Sequence, residues 1–126
     1  MLFWAHGLNN IYPKENKNLV EKIINKGGTV LSEYNLWTKA DKSNFPERNR
    51  IISGLSDGVL VVEAKEKSGS LITVDFALEQ GKEVYAVPGN ITSLNSVGTN
   101  KIIKEGAKVV TNVDDIVGDI LYMYNT

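Results

Sequence analysis

The chain of 126 residues has no cysteine and a single histidine, His6. Disulfides and thiolate metal sites are thereby excluded, and so is any cluster of histidine ligands. Glycine or charge interrupts every apolar run well short of bilayer-spanning length. Residues 1–5 lack the length and basic flank of a secretory signal, so the cytoplasm is the expected address. Arginine is scarce too: of the fourteen Lys and Arg residues, only Arg48 and Arg50 are arginines. Lysine supplies a point charge, whereas guanidinium offers a planar fork that suits phosphate and stacks on bases. Concentrating that fork in one stretch, Phe45-Pro46-Glu47-Arg48-Asn49-Arg50, marks the stretch for attention.

What is present has the composition of one ordinary globular domain, and 1–126 is expected to form it with a modest core. A net charge of -1 argues against broad electrostatic affinity for nucleic acid but leaves room for a local patch. Between Trp37 and Arg50, Lys39, Lys42, Arg48 and Arg50 stand against Asp41 and Glu47. Aromatic rings interleaved with cations suit single-stranded nucleic acid, with stacking for bases and charge for the backbone. Two readings are open at this point: a nucleic-acid contact, or arginines that decorate a helix and pair with neighbouring carboxylates.

Short β-branched runs alternate with helical patterns. Strands are predicted at 2–5, 29–32, 59–63, 84–87 and 108–110, and helices at 15–25, 46–55, 70–80, 99–105 and 114–124. The strands read as near-continuously apolar, the pattern of a sheet covered on both faces. Leu19, Val20, Ile23 and Ile24 mark the buried stripe of the first helix, which Gly27 and Gly28 end. Gly81 and Gly106 close later helices, and Pro46 stands at a helix start. The class is α/β with a mainly parallel sheet and helices on both faces. Ligands of such sheets bind beyond the carboxyl ends of the strands. The loops 35–44, 64–69 and 88–100 all fall on that edge.

Ser68-Gly69-Ser70 and Gly98-Thr99-Asn100 each open a predicted helix, where backbone N–H groups and hydroxyls can hold an anion. An ordinary serine cap explains either one equally well. Gly89, after Pro88, makes a sharp turn or lets a ligand approach the backbone. Neither a P-loop nor a dinucleotide fingerprint is present, which leaves triphosphate hydrolysis unsupported. Glu63 ends a strand and is a candidate general base, although a carboxylate there more often caps or pairs. Asp75 and Glu79 read as a solvated helix face, and His6 as a structural residue. Phe45 either anchors a loop or stacks on a base, with Lys42 reaching a phosphate. Trp37 has the same two readings.

The ordered set Leu31-Ser32-Glu33, Phe45 through Leu55, Val61-Val62-Glu63-Ala64, Ser68 through Thr73, Val87-Pro88-Gly89 and Gly98-Thr99-Asn100 resembles the DNA-processing protein A family (DprA, also called Smf). Gly7 through Pro13 and Ile102 through Ala107 extend the resemblance over nearly all of the chain. The resemblance implies a Rossmann-like domain that binds single-stranded DNA, forms homodimers and helps load a RecA-type recombinase in transformation and recombination. It implies no chemical turnover, catalytic residue, cofactor, metal or membrane partner. Residue by residue, Lys42 matches a phosphate-contacting lysine and Phe45 a base-contacting aromatic. Arg48, Asn49 and Arg50 match the signature helix start. Ser68, Gly69, Ser70, Gly89, Thr99 and Asn100, at the strand-end loops, are the further candidate DNA contacts.

The chain departs from the family pattern in lacking its first strands, with their Gly-Ser-Arg and Ser-Gly-x-Ala-x-Gly-Ile-Asp segments. It reads as a partial Rossmann-like domain: a fragment, a minimal relative, or one half of an assembly. Missing strands would leave apolar edges open. A second reading is a small nucleotide-binding or nucleotide-cleaving enzyme akin to the lysine-decarboxylase-like Rossmann proteins, with Glu63 as its acid–base residue. A third is an interaction module that keeps only a dimer or recombinase surface.

Overall fold

A computed structural model describes residues 2–4, 8, 14–36 and 44–125, with side chains described for 8, 15–36 and 47–125. The chain divides into two compact units, Met1–Ile52 and Ser53–Thr126.

In the first unit, β1 (Leu2–Trp4) and β2 (Val30–Ser32) pair in parallel, Phe3 opposite Leu31. Between them a 3-10 turn, Lys14–Asn16, leads into α1 (Lys17–Asn25). Gly27 takes φ +83 and ends the helix, its N–H donating to the Ile24 carbonyl at 3.0 Å. The buried stripe is narrower than predicted. Val20 is buried and Ile23 half-buried, whereas Leu19 and Ile24 are exposed on the flanks. At about 100° per residue the four span roughly 140° of the helix surface, and only the two at the centre of that arc are covered. Next comes α2 (Asn44–Gly54), within which the boundary between units falls. It starts two residues before the predicted Pro46. The proline therefore lies in the first turn, where its missing N–H has no intrahelical acceptor to lose.

The second unit holds a parallel sheet in the order β3-β4-β5, formed by Gly58–Val61, Glu83–Ala86 and Lys108–Val109. α3 (Ser70–Glu79) and α4 (Val97–Lys104) cover one face. Val74 and Ala77 of α3 and Ile102 of α4 meet Val61, Val84 and Ala86 in the core. Tyr85 points the other way, as alternation along a strand requires. Its hydroxyl donates to Asp119 Oδ2, 3.2 Å away on α5 (Asp114–Asn125). Helices thus lie on both faces, as predicted.

Among the three strands of the second unit, only β4 meets the expectation of strands covered on both sides. Its Val84, Tyr85 and Ala86 are all buried. β3 stands at an edge of its sheet, and Leu60 on the strand and Val62 just past it remain 40% and 60% exposed. At the opposite edge β5 carries Lys108, whose Nζ lies 2.6 Å from Asp119 Oδ2 and 3.3 Å from Glu83 Oε2. The Asp119 bond raises the Lys108 pKa, and the same lysine lowers that of Asp119. A charged lysine on an edge strand discourages further pairing; β3 has no such residue. Gly81 and Gly106, at φ +71 and +114, stop α3 and α4 as predicted. Among the described residues, no helix is long and apolar enough to cross a membrane.

Candidate nucleic-acid interface

The predicted contacts fall into two groups, one in each unit. In the first unit, the two residues after β2 meet the first turns of α2. Arg50 Nη2 donates to Glu33 Oε2. Tyr34 donates from its hydroxyl to Glu47 Oε2 at 2.9 Å, and its backbone N–H bonds to Ser32 Oγ at 3.1 Å. Consecutive residues can grip this helix because Glu47 and Arg50, three apart, lie on one helical face. Burial, then the Glu47 hydrogen bond, pushes the Tyr34 pKa up to about 12. Glu33 and Tyr34 were missed as partners of this helix. The legible signal was a carboxylate at a strand end facing a helix with an acid and a base three residues apart.

Arg48 and Asn49 are half-buried, and Arg50 is exposed. Phe45 lies in the first turn of α2, but its side chain is outside the described residues. Trp37, Lys39, Lys42 and His6 also lie outside them.

In the second unit, the two predicted helix starts differ. Before α3, Ser68 Oγ accepts the Ser70 N–H at 3.2 Å and Ser68 O accepts the Leu71 N–H at 3.1 Å. Ser68, not Ser70, therefore performs the cap. Gly69 and Ser70 are exposed, and a Cβ at Gly69 would meet nothing within 4 Å. The start of α3 is open to solvent.

α4 begins at Val97 after a 3-10 turn, Leu94–Ser96, which places Gly98 and Thr99 inside its first turn. The Gly98 N–H donates to the Ala64 carbonyl at 2.7 Å, and Ala64 N–H donates to Asn95 O at 2.8 Å. Thr99 is 0% exposed and its hydroxyl donates to Ser96 O at 3.1 Å, so its side chain has no surface to offer a ligand. This corrects the expectation that Thr99 faces phosphate: its side chain is buried and its hydroxyl is taken by the preceding turn. Asn100 Oδ1 accepts the Gly89 N–H at 3.2 Å, while Asn100 Nδ2 donates to Gly89 O at 3.0 Å. One amide thus holds both polar atoms of the glycine backbone. A Cβ at Gly89 would sit 1.9 Å from Ser96 Oγ, so the glycine gives Ser96 room on that side, while Gly89 itself stays exposed.

Glu63 is exposed just past β3, and Asp75 and Glu79 form the solvated face predicted for α3. Among the described residues, no three His, Cys, Asp or Glu side chains gather to hold a metal ion.

Comparison with known proteins places this geometry. The family model described as DNA recombination-mediator protein A matches residues 2–121. The DNA processing protein DprA of Bacillus subtilis is 52% identical over 89% of this chain and 37% of its own length. Protein Smf of Escherichia coli is 47% identical over 94% of this chain and 32% of its own length. The chain therefore spans about a third of the length of such relatives. The X-ray structure of Streptococcus pneumoniae DprA superposes with a TM-score of 0.81, at 47% identity, over 90% of this chain and 40% of that one. The Helicobacter pylori DNA processing protein A, described for its unique single-stranded DNA binding mode, gives a TM-score of 0.83 at 30% identity, over 95% of this chain and 55% of that one. Sequence order, sheet topology and structural likeness agree: the chain belongs to the DNA recombination-mediator protein A family, DprA/Smf.

Proposed function

We propose that this chain binds single-stranded DNA, using the start of α2 and the open start of α3. The observation that carries the reading is its likeness, across 95% of its length, to a DprA described for its single-stranded DNA binding mode. Phe45 stacks on a base and Lys42 reaches a phosphate. Arg48 and Arg50 supply guanidinium forks to the backbone, and Asn49 contributes an amide. Ser68, Gly69 and Ser70 present small polar groups and exposed backbone to a second phosphate. Gly89 and Asn100 shape the neighbouring loop through their mutual hydrogen bonds. In this reading 1–126 serves as one partial Rossmann-like domain, and binding proceeds without chemical turnover. The setting is cytoplasmic DNA recombination and uptake, where a homodimer delivers bound strands to a RecA-type recombinase.

Anisotropy of a labelled single-stranded oligonucleotide, followed across a salt series, tests the reading. Binding is expected to weaken with salt, because neutralised phosphates release counterions. Phe45→Ala is expected to lose affinity by roughly 1–3 kcal/mol, the range for one base–aromatic stack. Arg50→Ala is expected to weaken binding and flatten the salt dependence. A folded wild-type chain that gives a flat titration at low salt defeats the proposal.

A further inference from the structure

We propose that Glu33 is a built-in competitor for Arg50, a carboxylate that a DNA phosphate must displace. The inference rests on the single-stranded DNA reading above and adds an affinity-limiting residue to that site. Carboxylate and phosphate seek the same guanidinium donors. Arg50 Nη2 already bonds to Glu33, with side chains 51% and 28% exposed respectively. An ion pair this open to water contributes little to stability, and water screens it enough for exchange. The carboxylate is nonetheless held at the site. The following residue, Tyr34, is tied by its N–H to Ser32 Oγ and by its hydroxyl to Glu47, so the segment carrying Glu33 is fixed against α2.

The local charge supports a competitive role. Glu33 and Glu47 both meet the face of α2 that carries Arg50, so this grouping offers a polyanion no net positive charge. Displacing Glu33 releases the Nη2 donor at the moment a phosphate takes it. A tethered carboxylate acts at high effective concentration. A lone phosphate with one contact loses that competition, whereas a strand with several simultaneous contacts wins it. Glu33 thereby raises the threshold for short or monovalent anions, a case of specificity by an opposing element.

The test compares wild type, Glu33→Gln, Arg50→Ala and the double variant by oligonucleotide anisotropy across a salt series, with circular dichroism to confirm folding. Glu33→Gln is expected to tighten binding roughly threefold at low salt, the scale of one surface charge contact. Its salt slope is expected to steepen by up to about 0.7, one single-strand phosphate equivalent. In the Arg50→Ala background most of that gain is expected to vanish. Glu33→Asp keeps the charge but shortens the reach, so its affinity is expected between the two; it carries the test should Glu33→Gln fold poorly. Unchanged or weaker binding in a folded Glu33 variant overturns the proposal, since a plain strut would behave that way. An equal gain without Arg50 also overturns it. No wild-type binding sinks the single-stranded DNA reading and this inference with it. Wild-type binding without a gain in the Glu33 variants sinks the inference alone.

Discussion

α3 and α4 both begin with small polar residues after a β-strand, yet their first turns serve different ends. At α4, Gly98, Thr99 and Asn100 turn inward: one N–H to Ala64, one hydroxyl to Ser96, and one amide to both polar atoms of Gly89. At α3, Ser68 caps the helix and Gly69 and Ser70 remain in solvent. The difference arises from where each backbone hydrogen bond ends, not from the residue types. Both starts engage N–H groups within the fold, Ser70 and Leu71 on the adjacent Ser68 at α3 and Gly98 on the distant Ala64 at α4. What separates them is that the α3 start is capped locally and faces water, where an anion can reach it. α4 buttresses the strand-end loop, and α3 presents itself.

Four substitutions, in order of falling effect, break or sharpen this contrast. Gly98→Ala introduces a Cβ 2.6 Å from Lys65 O, 2.7 Å from Ala64 O and 2.8 Å from Ala64 Cβ. Backbone carbonyls cannot swing aside, so a loss of roughly 2–3 kcal/mol is expected in chemical denaturation, high in the range for overpacking. Asn100→Ala removes both bonds to Gly89, for an expected loss of about 1–2 kcal/mol by the same measurement. Ser68→Ala removes the cap of α3 and is expected to lower the denaturation midpoint by about 1 kcal/mol equivalent. Gly69→Ala, into open space at φ -59, is expected to leave stability within about 0.5 kcal/mol. A stable Gly98→Ala protein would erase the distinction between the two starts. A severely destabilised Gly69→Ala protein would do so from the other side.

The same contrast shows what could be read from the sequence. Local chemistry was legible: each of Gly27, Gly81 and Gly106 stops a helix at positive φ because only glycine adopts that conformation without strain. Strand and helix order was legible for the same reason, since apolar periodicity is a short-range signal. Partners distant in sequence were not legible. Thr99 and Ser70 look alike in the chain, yet the first is buried and the second exposed. Arg50 announced a guanidinium site, but its partner Glu33 lies seventeen positions away. Leu60 and Val62 read as interior because hydrophobicity carries no record of whether a strand has a neighbour on both sides. The serine at the end of α2 is a further case: Ser53 is 0% exposed and donates to Gln80 Oε1 at 2.7 Å, a pairing that no local pattern reveals.

The division into Met1–Ile52 and Ser53–Thr126 has an optical consequence. Both tryptophans, Trp4 and Trp37, fall in the first unit, while Tyr85, Tyr122 and Tyr124 fall in the second. Indole emission excited at the red edge of the absorption band therefore reports on the first unit alone. Near-ultraviolet dichroism adds the second unit's Tyr85, at 2% exposure beside Asp119, to the first unit's aromatic residues, so it reports on both units together. The two signals make cooperativity directly visible: coincident melts mean that the units unfold as one, and separated melts give each its own transition.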